Sequence, residues 1–187
     1  GQSADIDLNP GGNAGSGKIN SGLLQTSDIN SLNRDELPVA AVADNGTGMV
    51  NIQVFGEVGT SKTFEKIIEV VNNSSSQNYE IGFIFEDGFT TEVTDGSITE
   101  GDVDSVFQFQ KNSDSTKISG VSDPENFINV DTTESGSAKQ IDLKFDGNVS
   151  GLTENYDSKP GDFGSSTAQR AEFVDQVTAV ANEVSSN

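Results

Sequence analysis

The stretch KIIEVVNNSSSQNYEIGFIFEDG, residues 66–88, constrains the fold more than any other part of the chain. Two apolar runs with the length and the β-branched, aromatic content of buried strands flank a polar segment over 72–78. A chain that sets its most apolar residues in two strands around a soft loop is building a β core. The same rhythm continues on either side, in LPVAAVA from Leu37, in GMVNIQVFG with Val50, Ile52 and Val54 on one face, in TFEKIIEVV and in GFTTEV. Turn signals separate these runs: DNGTG after Ala43, and EDG before Phe89, where a hairpin is expected. Further strands are expected over 105–110 and 127–131, and in AKQIDLKFD, where Ile141, Leu143 and Phe145 alternate with polar neighbours. With no βαβ rhythm, the fold class read from this pattern is all-β, an antiparallel β-sandwich or barrel, with the sandwich preferred. One short helix is expected over 27–32. The last stretch, AQRAEFVDQVTAVANEV, fits a helical face through Ala171, Val174, Val177, Ala181 and Val184 and also a broken alternation, and periodicity leaves both open.

The first ten residues, GQSADIDLNP, alternate as a short amphipathic strand, with Ala4, Ile6 and Leu8 on one side and Ser3, Asp5, Asp7 and Asn9 on the other. GGNAGSGK follows, with four glycines in eight residues, a tether able to span on the order of 25 Å. Residues 1–18 therefore read as an arm and 19–187 as the β-sandwich body. An amphipathic terminal strand on a tether has the form of a strand donated to a neighbour's sheet. Burying Ile6 and Leu8 would contribute about 1.5–3 kcal/mol each, as an upper bound. Pairing of residues 3–8 within their own sheet, or fraying, is the competing expectation.

Charge narrows the partners. Thirty acids stand against ten bases, a formal charge of −20 that repels nucleic acid and anionic membranes. Self-repulsion on this scale is relieved by salt, so a high-salt setting and a halophilic archaeal origin are expected, with an acidic coat evolved for solubility as the plainer explanation. Leu, Ile, Val and Phe supply 47 of 187 residues, enough for a core. No apolar run approaches 18 residues and the sequence starts at Gly1, so a secreted, processed chain without a membrane span is expected. Without cysteine, stability must come from the core, from ions or from assembly.

The composition argues against an enzyme. Without His or Cys the usual general base, thiol nucleophile and zinc ligands are missing. GGNAGSGKI matches a phosphate-binding loop through Gly12, Gly17 and Lys18, but Ile19 stands where Ser or Thr must hold magnesium. No cofactor is expected beyond a structural calcium, because only oxygen ligands are on offer. The best acidic cluster is Glu100, Asp102 and Asp104 on a single loop, with solvated acids as the default reading. Sequons fall at Asn45, Asn72, Asn73 and Asn148; with 17 Asn and 37 Ser plus Thr about three arise by chance, so they permit glycosylation without indicating it.

The strand running into VVNNSSS, followed by an alternating strand and an acidic turn over 64–87, resembles the motif of secreted TasA and camelysin-type β-sandwich proteins and of haloarchaeal secreted proteins. The likeness covers about 25 residues. It implies a jelly-roll-like body, polymerisation outside the cell into biofilm-matrix fibres or bundling pili, and in some members joining by donor-strand complementation. It also implies that the segment around Phe173 to Ala181 is a strand of the body. The heavier acid load and the Gly-rich leader depart from the bacterial pattern, which leaves the assembly mode open. The expected function is a homopolymeric structural subunit, with Ala4, Ile6 and Leu8 inserting into a groove that includes Ile81, Phe83 and Phe85. The alternatives are a monomeric secreted or surface-layer calcium-binding module and a viral coat or spike protein.

Overall fold

The computed structural model describes residues 5–132, 137–157, 163 and 170–185. Their architecture is all-β and sandwich-like, with several antiparallel sheets. The first sheet has the order β1-β5-β10-β7, formed by Ile6–Pro10, Ser61–Asn72, Ser137–Asp146 and Phe107–Lys111. The second runs β11-β6-β8, formed by Thr178–Val184, Asn78–Ile84 and Ser119–Gly120, with β9 (Ile128–Val130) also on β6. A third small sheet joins β2 (Ile19–Ser21), β3 (Val39–Asp44) and β4 (Val50–Phe55). The core lies between the layers, where Phe83 of the second sheet stacks on Phe109 of the first at 4.5 Å between ring centroids.

Because β5 belongs to one sheet and β6 to the other, the NNSSSQ segment is an arch that carries the chain across the core, and Asn72 is its keystone. Its side chain is fully buried, its Nδ2 donates to the carbonyls of Gln77 (2.8 Å) and Val130 (3.0 Å), and its Oδ1 accepts from the Ser74 amide (2.8 Å). A buried amide is tolerated when its donors and acceptor are satisfied in this way.

Ile67 and Ile68 are both buried, which strict alternation allows only where both faces of the sheet are covered. Lys66 just before them has φ 54°, and the register between β5 and β10 shifts between Ile141 and Leu143. This is a β-bulge. The buried carboxylate of Asp142 holds it, with Oδ1 accepting from the Lys66 amide at 2.9 Å and from Asn112 Nδ2 at 2.9 Å.

The Gly-rich segment closes over the bulge instead of acting as a tether. Gly11 donates its amide to the Ile67 carbonyl (2.9 Å) and Asn13 donates to the Lys66 carbonyl (3.1 Å). A Cβ on Gly11 would lie 2.1 Å from the Lys66 carbonyl oxygen, so only glycine fits this approach. The described part of residues 1–18 is thus packed on the body.

Several local expectations are corrected. GFTTEV is not a strand: Phe89 makes one bridge, to Val174, and α2 (Thr91–Thr94) follows, with α1 at Thr26–Asn30 earlier in the chain. The EDG turn therefore closes no hairpin with β6. Residues 105–110 divide between α3 (Glu100–Val106) and β7, because Thr99 and Asp102 form a capping box that starts a helix. Of the ambiguous C-terminal stretch, Thr178–Val184 forms strand β11, antiparallel to β6, while residues 171–177, where the strand around Phe173 was expected to begin, make only the bridge at Val174. A last short helix, α4 (Ser150–Thr153), sits after β10. Among the described residues no helix is long and apolar enough to cross a membrane.

Candidate assembly and binding surfaces

β1 is an edge strand paired with β5 of its own chain, in antiparallel register from Ile6 opposite Asn72 to Pro10 opposite Ile68. Ile6 (2% exposed) and Leu8 (3%) are inserted in the core, so the expectation that they lack partners in their own molecule is corrected. The physical reason is that the Gly-rich segment after β1 packs on the bulge of β5 through Gly11 and Asn13, which holds β1 alongside β5. The polar side of the strand is fastened as well. Tyr79 Oη donates to Asp5 Oδ2 (2.8 Å), Asn73 Nδ2 donates to Asp7 Oδ2 (2.8 Å), and the Leu8 amide donates to the Gly48 carbonyl (2.9 Å). Ala4 lies outside the described residues.

Ile81 and Phe83 stand on β6, which is paired with β11 on one side and with β8 and β9 on the other, so neither marks an edge that could accept a strand. Phe85, just beyond β6, is a core residue that also lines a groove of about 960 Å³ along β4. β4 pairs with β3 and with no other described strand. Val50, Ile52, Val54 and Phe55 are only half-buried there, facing a wall that includes Phe107 and Leu143.

The chain's only two arginines, Arg34 and Arg170, meet at this groove, with their guanidinium carbons 5.3 and 5.0 Å from the ring centre of Phe163. Arg34 follows Asn33, whose side chain caps the 3-10 turn Arg34–Glu36 by accepting from the Asp35 amide. The Arg34 side chain is 5% exposed and its Nη1 pairs with Glu57 Oε2 at 3.2 Å. Among the described residues its Nε and Nη2 are buried without a hydrogen-bond partner. Sequence reasoning missed this residue, although a chain with two arginines and 30 acids offers a signal once the two are seen to converge.

On the wall opposite β4, Glu172 and Asp175 share a carboxyl–carboxylate hydrogen bond, which together with partial burial and like-charge repulsion raises the Glu172 pKa. Nearby, Tyr156 donates to Glu92, and burial and that carboxylate push its hydroxyl pKa well above the usual tyrosine range. A raised carboxyl pKa stabilises the fold fully below the unfolded-state value and ceases to do so as pH rises through the folded-state value. The wall is therefore tightest in acid. Glu172→Gln keeps a donor for Asp175 at neutral pH, and because the pair is exposed the melting temperature at pH 7 should rise by only about 1–3 °C, with a flatter slope between pH 4 and 7. A thermal melt series of both proteins across that range checks this.

The expected metal loop is the helix α3. Asp102 is used in the capping box, Asp104 pairs with Lys117 Nζ at 2.8 Å, and Glu100 is exposed in the first turn. Alternate positions on a helix diverge by about 200°, so the three acids do not converge. Among the described residues no group of three metal-ligating side chains occurs elsewhere. Of the sequons, Asn45, Asn73 and Asn148 are exposed, while Asn72 is buried with both amide protons engaged and cannot receive a glycan in the folded chain. Lys18 donates to the Glu36 carbonyl and strand β2 follows it, a setting unlike a phosphate-binding loop, which needs a helix there. No protein-family model matches the chain, and no curated protein sequence matches it significantly.

Proposed function

We propose that the protein is a structural subunit of an extracellular filament or matrix fibre, in which copies are joined by exchange of the first strand. The observation that carries this is β1 itself, a self-contained edge element at the start of the described chain, whose apolar side chains plug the core and whose carboxylates take the amide of Asn73 and the hydroxyl of Tyr79. Every one of these contacts can be made equally well with β5, Asn73 and Tyr79 of a second copy. Exchange of an identical element conserves the contacts and leaves the equilibrium to concentration and to the segment that must open. That segment is the run of glycines at 11–17, held mainly by backbone hydrogen bonds and turns. The closed chain is then the stored form and the exchanged chain the joined form. The high acid content suits assembly in high salt, where repulsion between copies is screened.

Asp7 and Val71 face each other across the β1–β5 ladder, and the chain has no cysteine of its own. Directly opposed residues in an antiparallel pair lie about 4.5–5.5 Å apart at Cα, within disulfide range. The variant Asp7→Cys with Val71→Cys, oxidised after concentration in high salt, should give a ladder of covalent multimers on a non-reducing gel. A single monomer band from material that forms fibres would overturn exchange at this ladder. Dispersed particles at every salt concentration would overturn the filament reading as a whole.

A further inference from the structure

We infer that the outer edge of β4 is a docking site for an extended basic peptide of a partner protein, which adds to the small sheet as a further strand. The bonding of β3 fixes which backbone groups of β4 are left over. The Ala40 amide donates to the Lys18 carbonyl and the Val42 carbonyl accepts from the Gly22 amide, so the alternate residues Ala41 and Ala43 turn their amides and carbonyls toward β4. Their partners there are Gln53 and Asn51. Val50, Ile52 and Val54 therefore turn theirs the other way, and among the described residues no strand, loop or side chain hydrogen-bonds to them. Exposed edges are ordinarily blunted by charge or proline, which keep stray strands from pairing. Residues 48–56 carry neither, in a chain with 30 acids. Such an edge is a template for another strand.

The groove beside this edge specifies the strand that suits it. The six residues of β4 run for about 20 Å, which gives an incoming strand of similar length alternate backbone donors and acceptors to bond. Among the charged groups of the lining, Glu57, Asp157, Glu172 and Asp175 stand against Arg34 and Arg170, and Arg34 is already paired with Glu57. Acids prevail in the groove, and the formal charge of −20 on the whole chain draws cations toward it. Phe107 and Leu143 line the same groove and offer contact to small apolar side chains. A peptide that alternates lysine or arginine with an aliphatic residue supplies both, because successive side chains of a strand point to opposite faces. The chain's own β1 is a poor occupant, since Asp5 and Asp7 would be brought against acids. Docking at this edge does not depend on exchange of the first strand, so either can fail without the other.

The test is titration of the full, isotope-labelled chain with an acetylated, amidated hexapeptide of alternating lysine and valine, followed by amide shifts and hydrogen exchange in NMR spectra at about 0.2 M and about 1 M salt. The peptide should bind saturably and slow exchange at the Ile52 and Val54 amides at least ten-fold. At the lower salt the same peptide with glutamate in place of lysine should bind at least ten-fold more weakly, and the gap should narrow at the higher salt. A lysine–valine peptide N-methylated at every residue keeps the charge and loses the donors of a strand, and it too should bind at least ten-fold more weakly. Ile52→Pro removes an amide that faces away from β3, a place where an edge strand accepts proline, and should weaken the lysine–valine peptide by a similar factor. Equal binding of the lysine and glutamate peptides at the lower salt would overturn the basic partner. Equal binding of the N-methylated peptide, or unchanged binding by folded Ile52→Pro, would overturn strand addition. Ile52 and Val54 amides as protected in the free chain as that of Gln53 would show the edge to be covered already and overturn the site, as would absence of binding.

Discussion

Asp142→Ala is expected to lower the unfolding free energy by about 3–5 kcal/mol, because it removes two hydrogen bonds to a buried charge and leaves the Lys66 amide and the Asn112 side chain without their acceptor. The carboxylate is 2% exposed, so water cannot readily replace it in the intact fold. It also holds Lys66 in a left-handed conformation that a residue with a Cβ adopts at a cost of roughly 1–2 kcal/mol. Without that hold the bulge should relax, and the phase of β5 that buries Ile67 and Ile68 together should be lost with it. Asp142→Asn retains the Oδ1 acceptor and should lose less than half as much. Urea denaturation of the two variants beside the unmodified chain measures the difference. Equal losses would show that the net charge of the group, and not its acceptor geometry, holds the bulge.

Leu8→Asp should release β1 from β5. It places a carboxylate at a position only 3% exposed and opposite Val70, where the described structure offers no cation. The chain can avoid burying that charge by giving up the strand, so the loss is limited to what β1 contributes: two buried apolar side chains and a five-pair ladder, about 3–5 kcal/mol. Hydrogen exchange should then show the amides of β5 between Ile68 and Asn72 that face β1 becoming unprotected, while β6 and β10 stay protected. Under the proposed strand exchange the same variant should form no fibres, since the detached strand is no better suited to a neighbour's core than to its own. Leu8→Ala is the milder control, with a cost set by the lost methylenes and the cavity left behind. Fibres formed by Leu8→Asp would remove the first strand from the joint.

Regular alternation was the legible part of this fold. β10 was readable because Ile141, Leu143 and Phe145 keep strict period, and β5 and β6 because their apolar runs are long. The crossing of the core between β5 and β6 depends on Asn72, a polar residue whose burial becomes evident only once its three partners are in place. GFTTEV misled because β propensity in Phe, Thr and Val describes fit to a sheet, and no sheet edge is offered there except the single bridge to Val174. The acids at 100–104 resemble a loop by composition, whereas the reciprocal capping of Thr99 and Asp102 begins α3 there. Arg34 was illegible for a different reason. A buried guanidinium with two idle donors is a property of three-dimensional surroundings, in this case Glu57 and Phe163, 23 and 129 positions further along the chain.

The antiparallel seating of β1 on β5 also bears on how a joint of this kind would respond to load. Tension applied along the first strand runs parallel to the ladder, so the five residue pairs resist together in shear rather than unzipping in turn. A peel from the Asp5 end would first meet the side-chain clasps to Tyr79 and Asn73. Toughness in such a thread would come from the direction of pull more than from the size of the contact.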